Sequence, residues 1–162
     1  MPVKSCSDIT ILIIDDDKVI SASLVQSLTQ NGYAAACAYT AEQGLALVHQ
    51  RQPHVALVDL KLPGVNGIEL IKSIKSASPG TIIILLSANA TIDAVAESIK
   101  NGAYDFIAKP FNFSDLERTL RRAIEYKTRH AKHTRLKKRN LLLALALPFL
   151  VLIAYLIRAY FK

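Results

Sequence analysis

The sequence predicts an α/β fold: a doubly wound sheet of five parallel strands with helices on both faces. Two observations carry that expectation. Short β-branched or apolar runs alternate with longer segments of helical period, in the order βαβαβαβαβα. The strongest of these runs are apolar throughout, as expected of strands buried on both faces. Strands that alternate with helices of this length imply right-handed crossovers and a sheet covered on both sides.

The elements follow in order. "ITILIID", Ile9 to Asp15, is the first strand. "KVISASLVQSLTQNG" has apolar residues at Val19, Ile20, Leu24, Val25 and Leu28, as a helix would, and ends at Asn31-Gly32. "YAAACAY" is a weaker second strand, and Thr40 with Gln43 forms a capping box for a helix stopped by Pro53. "HVALVDL" is the third strand, "KLPGVNG" a turn-rich loop and "IELIKSIKSA" the third helix. "TIIILLSA" is the fourth strand and "TIDAVAESIKNG" a helix closed by Asn101-Gly102. "YDFIAKP" is the fifth strand, broken by Pro110, and Ser114 with Glu117 is expected to cap the last helix.

The polar residues collect at strand ends. Asp15, Asp16 and Asp17 end the first strand, Asp59 the third, Ser87 the fourth and Lys109 the fifth. A parallel sheet brings all of these to its carboxyl edge, where such folds place their sites. Grouped carboxylates repel one another and call for a cation. Oxygen donors without His or Cys suit a hard one, Mg²⁺ or Mn²⁺. A lysine and a hydroxyl beside that cation make a pocket for a dianion such as phosphoryl. A carboxylate in such a pocket can act as a nucleophile and form an acyl phosphate. Singly, each residue has a plainer reading: Asp as a cap or turn residue, Ser87 as a cap, Lys-Pro as a loop opening.

Five motifs agree in identity, order and spacing: "IIDDD", "VDLKLPGVNG", "ILLSAN", "NGAYDF" and "AKPF". Together they resemble the receiver domain of bacterial two-component response regulators, over residues 8–125. The resemblance implies a flavodoxin-like (βα)5 receiver. It implies that Asp59 is the phosphoacceptor and that Asp15, Asp16 and Asp59 hold the metal, with Asp16 the more direct ligand beside Asp59. The backbone carbonyl of Lys61 would be a further ligand. Lys109 would pair with the phosphoryl oxygens, and Ser87 would bind the phosphoryl group and move toward it. Phe106 would turn inward as Ser87 moves; relatives often carry Tyr there, so a signal borne by that hydroxyl is lost. Lys61 and Asn89 border the path of the attacking water in relatives. Asp17 reads as negative charge at a helix N-terminus. The implied donor is a sensor histidine kinase or His-phosphotransfer protein. The response is a change in binding to an unidentified downstream protein, or a homodimer through the fourth-helix/fifth-strand face. This is a self-acting switch, not an enzyme acting on a separate metabolite.

Composition adds a second part. The chain of 162 residues has a formal charge of +7. Residues 1–117 carry 8 Lys/Arg against 12 Asp/Glu, whereas 118–139 carry 10 Lys/Arg and one acid, Glu125. Basicity is therefore a local strip. Two cysteines, Cys6 and Cys37, form no metal or CxxC pattern and read as reduced thiols. The N-terminus shows no signal-peptide pattern.

Leu141 to Ile157 is an unbroken apolar run of 17 residues. As a helix it measures about 25 Å, near the lower limit for a bilayer core of about 30 Å. Ala159, Tyr160 and Phe161 extend it if Arg158 snorkels. The expected organisation is a receiver over 8–125, a basic juxtamembrane linker over 126–140 and a transmembrane helix over 141–160. The basic flank places the receiver on the cytoplasmic side of a bacterial cytoplasmic membrane, as a single-pass protein. His130 and His133 belong to the solvated strip. The strip's rival reading is a DNA-contacting helix; no heptad zipper follows it, and nucleic acid is not the expected partner. Receiver relatives often carry an output domain, and no residues are seen for one here. Two further readings stand beside the switch: a phosphate shuttle or sink without output, and an adaptor that uses the fold as a scaffold.

Overall fold

A computed structural model describes residues 8–88 and 91–129. The elements are β1 (Thr10–Ile14), α1 (Lys18–Gln30), β2 (Ala34–Ala38), α2 (Ala41–Arg51), β3 (Val55–Asp59), β4 (Lys61–Leu62), β5 (Val65–Asn66), α3 (Gly67–Ala77), β6 (Ile82–Ser87), α4 (Ile92–Lys100) and β7 (Asp105–Ala108). A last helix, α5, occupies 113–129. The chain divides into two units, 1–124 and 125–162. Of the second, only 125–129 is described; it is helical and carries an Arg129–Glu125 ion pair at 3.5 Å.

Five strands form one sheet in the order β2-β1-β3-β6-β7. Every neighbouring pair is parallel, which requires a crossover between them, and the helices supply it. Alternate residues serve opposite faces. Ile11, Ile13, Val55, Leu57, Ile84 and Leu86 pack with Leu24, Leu28, Leu116 and Leu120 from α1 and α5. Leu12, Ile14, Ala56, Val58, Ile83 and Leu85 pack with Val48, Leu70, Ile71 and Ile74 from α2 and α3. This two-sided burial is why the strands read as continuous apolar runs. Each fully buried Leu or Ile contributes about 1.5–3 kcal/mol relative to an exposed one.

The helix ends follow local chemistry. Asp17 caps α1, accepting from Val19 N and Ile20 N at 2.9 and 3.0 Å. Thr40 Oγ1 accepts from Gln43 N at 3.2 Å, and Gln43 Oε1 accepts from Tyr39 N at 3.1 Å.

Two expectations are corrected. The turn-rich loop expected over 61–66 is a small antiparallel hairpin, with Lys61 opposite Asn66 and Leu62 opposite Val65 on either side of the turn. Its two-residue strands are too short to leave a period in the sequence. The cap of α5 is Asn112, not Ser114. Asn112 Oδ1 accepts from Asp115 N at 2.9 Å and from Ser114 Oγ at 2.6 Å. The helix opens at Phe113, which puts Asn112 in the capping position and draws Ser114 into the first turn.

Among the described residues, no helix is long and apolar enough to cross a membrane. The expected span 141–160, His130, His133 and Asn89 lie outside the described residues.

Candidate functional site

The register decides what meets at the carboxyl edge. Ile14 stands opposite Val58 across β1 and β3. Asp59 stands opposite Leu86, and Ser87 opposite Ala108. Asp15 and Lys109 each follow their strand by one residue. All four side chains therefore leave the sheet at one edge.

Asp15 is fully buried. Its N–H donates to Ala38 O at 3.1 Å, and its carbonyl accepts from the buried Ser21 hydroxyl at 3.2 Å. Its Oδ1 accepts from Asp17 N at 2.9 Å, and its Oδ2 lies 2.6 Å from Lys109 Nζ. Asp59 repeats the pattern. Its Oδ1 accepts from Lys61 N at 3.0 Å, and its Oδ2 lies 2.7 Å from Lys109 Nζ. One ammonium thus bridges two carboxylates, each aimed by the N–H two residues further on.

Burial alone would push the Lys109 ammonium down. The hydrogen bonds and charges of Asp15 and Asp59 outweigh it and hold the group above the ordinary lysine value. Lys109 N also donates to Ser87 O at 2.7 Å, which fixes the end of β7 against β6.

Asp15, Asp16 and Asp59 each bring a carboxylate oxygen within 4.8 Å of the other two. Asp16 is exposed, while Asp15 and Asp59 are buried. Three carboxylates and one ammonium carry a net formal charge of −2, which a divalent cation neutralises. The donors are all oxygen, so the set fits Mg²⁺ or Mn²⁺ and not a soft metal. Asp17 stands apart from this group, since its side chain is engaged at the α1 N-terminus.

Ser87 is buried at the end of β6. Phe106 lies on β7, opposite Leu85, with its side chain exposed (38%). Lys61 opens β4 two residues beyond Asp59. Beside Lys109, a cleft of about 660 Å³ opens between α1 and the β7–α5 connection, lined by Val19, Ile20, Leu24, Pro110, Phe111 and Phe113. Sequence reasoning assigned Lys109 to a ligand alone and missed that it ties Asp15 to Asp59. It also missed the Ser21 support beneath Asp15, for which a polar residue on the buried stripe of α1 was the available signal.

Comparison with known proteins agrees with this geometry. Residues 11–121 match the family model described as response regulator receiver domain. The nitrogen assimilation regulatory protein NtrX of Azorhizobium caulinodans is 38% identical over 117 residues, covering 71% of this chain and 26% of that protein. The transcriptional regulatory protein ZraR of Salmonella typhimurium is 33% identical over 119 residues, 73% of this chain and 27% of that one. The chain thus spans about a quarter of the length of these curated relatives. A CheY-like receiver domain protein from Methanospirillum hungatei superposes with a TM-score of 0.73 at 33% identity, covering 75% of this chain and 98% of the other. With the matched region running from β1 into α5 and enclosing the whole acidic edge, the chain belongs to the response regulator receiver domain family.

Proposed function

We propose that the chain is a membrane-tethered phosphoryl switch in which Asp59 accepts a phosphoryl group from a phosphohistidine donor. The observation that carries this reading is the Lys109 ammonium held 2.6 Å from Asp15 and 2.7 Å from Asp59. Such a cluster is costly to assemble for structure alone, since it withdraws charges from water at a cleft. It suits a site where charge arrives from outside.

A Mg²⁺ or Mn²⁺ held by Asp15, Asp16 and Asp59, with the Lys61 carbonyl, would supply positive charge opposite the transferring oxygens. The residues do the rest. A donor protein seated over the cleft by α1 presents its phosphohistidine to Asp59. A carboxylate oxygen of Asp59 attacks phosphorus in line; the P–N bond breaks and the imidazole leaves with its electron pair. An O–P bond forms, giving an acyl phosphate. Lys109 then turns from Asp59, whose carboxylate has lost its charge on forming the acyl phosphate, to the phosphoryl oxygens, and keeps Asp15 as its second partner. Ser87, one residue beyond the Leu86 that faces Asp59, would hydrogen-bond the new dianion. Its movement would release the side of β7 that carries Phe106, changing the face that partners read.

The tether is the 17-residue apolar run from Leu141 to Ile157, preceded by the strip of ten Lys/Arg. Their order supports insertion with the receiver on the cytoplasmic side, and the strip attracts anionic headgroups.

The deciding experiment incubates the full chain with a histidine kinase and labelled ATP, or with a small acyl phosphate, and maps the label. The expected result is one hydroxylamine-labile phosphate that disappears in Asp59→Asn. Undiminished labelling of Asp59→Asn would overturn the reading.

A further inference from the structure

Beyond Asp59 the chain turns back, and Gly67 comes to lie against Leu60. Leu60 N donates to Leu86 O at 3.0 Å, which keeps it in line with the sheet. The β4–β5 hairpin then folds back through Gly64, at φ +76°. Asn66 caps α3, its Oδ1 accepting from Ile68 N at 3.0 Å. The hairpin is so short that the first residue of α3, Gly67, is set down on Leu60.

A Cβ on Gly67 would lie 2.8 Å from Leu60 O and 2.9 Å from Leu60 Cα. Both are backbone atoms, so no side-chain rotation relieves the overlap. Gly67 has no positive φ; the requirement is space and not dihedral freedom. The Leu60 carbonyl and the Lys61 N–H are two ends of one planar peptide group. That N–H is the donor that holds Asp59 Oδ1 at 3.0 Å. Pressure on the carbonyl tilts the plane and swings the N–H away.

We infer that Gly67 is a positioning residue for Asp59: the space it leaves for the Leu60 carbonyl fixes the Leu60–Lys61 peptide whose N–H aims the acceptor carboxylate. This rests on the reading of Asp59 as the phosphoacceptor. The other bridged carboxylate, Asp15, is aimed by Asp17 N in a separate segment and is not affected.

The test uses the full chain in detergent micelles, with acetyl phosphate and Mg²⁺. Wild type is compared with Gly67→Ala, Gly64→Ala and Gly80→Ala. Gly64→Ala strains the same hairpin but meets no atom within 4 Å; at Gly80 a Cβ also meets nothing. Gly67→Ala should lower the maximal phosphorylation rate about ten-fold with the half-saturating donor concentration unchanged, as expected for a misaimed nucleophile. Its Lys61 amide proton should move upfield in the NMR spectrum of the metal-free chain. The other two variants should keep the wild-type maximal rate and that resonance.

An unchanged rate and resonance in Gly67→Ala, or an equal loss in Gly64→Ala, overturns the inference. If Gly67→Ala does not fold, Lys61→Pro decides, since it deletes the N–H and leaves residue 67 alone: it must show the same rate loss, and a wild-type rate overturns the inference. A wild-type chain that takes up no phosphate would instead overturn the phosphoacceptor reading.

Discussion

Asp15 and Asp59 hold one ammonium between them in matching geometry, each giving Oδ2 to Lys109 and Oδ1 to the N–H two residues on. Both strands thus end in the same local turn, and the parallel register sets the two turns side by side. Lys109 supplies the positive charge that faces both carboxylates. That role can be tested.

In Lys109→Met the cluster's formal charge changes from −2 to −3, and the buried Asp15 loses its ion pair. Phosphoryl uptake should fall at least a hundred-fold, since the group proposed to receive the phosphoryl oxygens is gone. Divalent-cation affinity should move the other way and tighten about ten-fold, because one repelling charge has been removed. Calorimetric titration of Mg²⁺ into both proteins separates the two effects. Weaker cation binding in the variant would show that Lys109 shapes the cation site and does not compete with it.

The three consecutive aspartates divide their work. Asp16 is the exposed member of the three carboxylates that could hold a cation, whereas Asp17 is the α1 cap. Asp16→Asn should weaken Mg²⁺ binding ten-fold or more, as a charge is lost from an all-oxygen donor set. Asp17→Asn keeps an oxygen for the cap and should leave both cation binding and stability nearly unchanged. Equal weakening in both variants would place Asp17 in the metal site.

The site was legible in the sequence to the extent that it depends on strand order. Apolar runs bounded by Asp15, Asp59, Ser87 and Lys109 need only a parallel sheet to bring those residues together. What was not legible depends on contacts between segments. The choice of Lys109 for two carboxylates follows from side-chain rotamers, and the seating of Gly67 on Leu60 follows from a hairpin of two-residue strands. Neither leaves a periodic trace. The α5 cap failed for a different reason: Ser114-x-x-Glu117 is a valid local pattern, but Asn112 is an equally good cap and stands at the residue where the helix begins.

That competition gives a stability prediction. Asn112→Ala should cost about 1 kcal/mol, since it strips the acceptor from Asp115 N and from the Ser114 hydroxyl. Ser114→Ala should cost only a few tenths, because its hydroxyl donates to an exposed amide oxygen and holds no helix N–H. Denaturant midpoints of the two variants test the order. A larger loss in Ser114→Ala would restore Ser114 as the cap.

The proposed tether makes the last prediction. Twelve of the 17 residues from Leu141 to Ile157 are Leu, Ile, Val or Phe. At about −0.3 to −0.6 kcal/mol each, insertion gains on the order of −5 kcal/mol. The wild-type full chain should therefore stay with membranes through washes in high salt and in alkaline carbonate. An arginine at the helix centre costs about +2.5 to +3.5 kcal/mol on the same scale, and the leucine it replaces no longer contributes. Leu150→Arg should thus remove most of the driving force and release a large fraction of the chain into the carbonate wash. The strip at 118–139 is unaltered in this variant, so any attachment that remains should be electrostatic and should be lost in high salt. Release of the wild-type chain by salt alone would mean that the basic strip, and not the apolar run, holds the protein to the membrane.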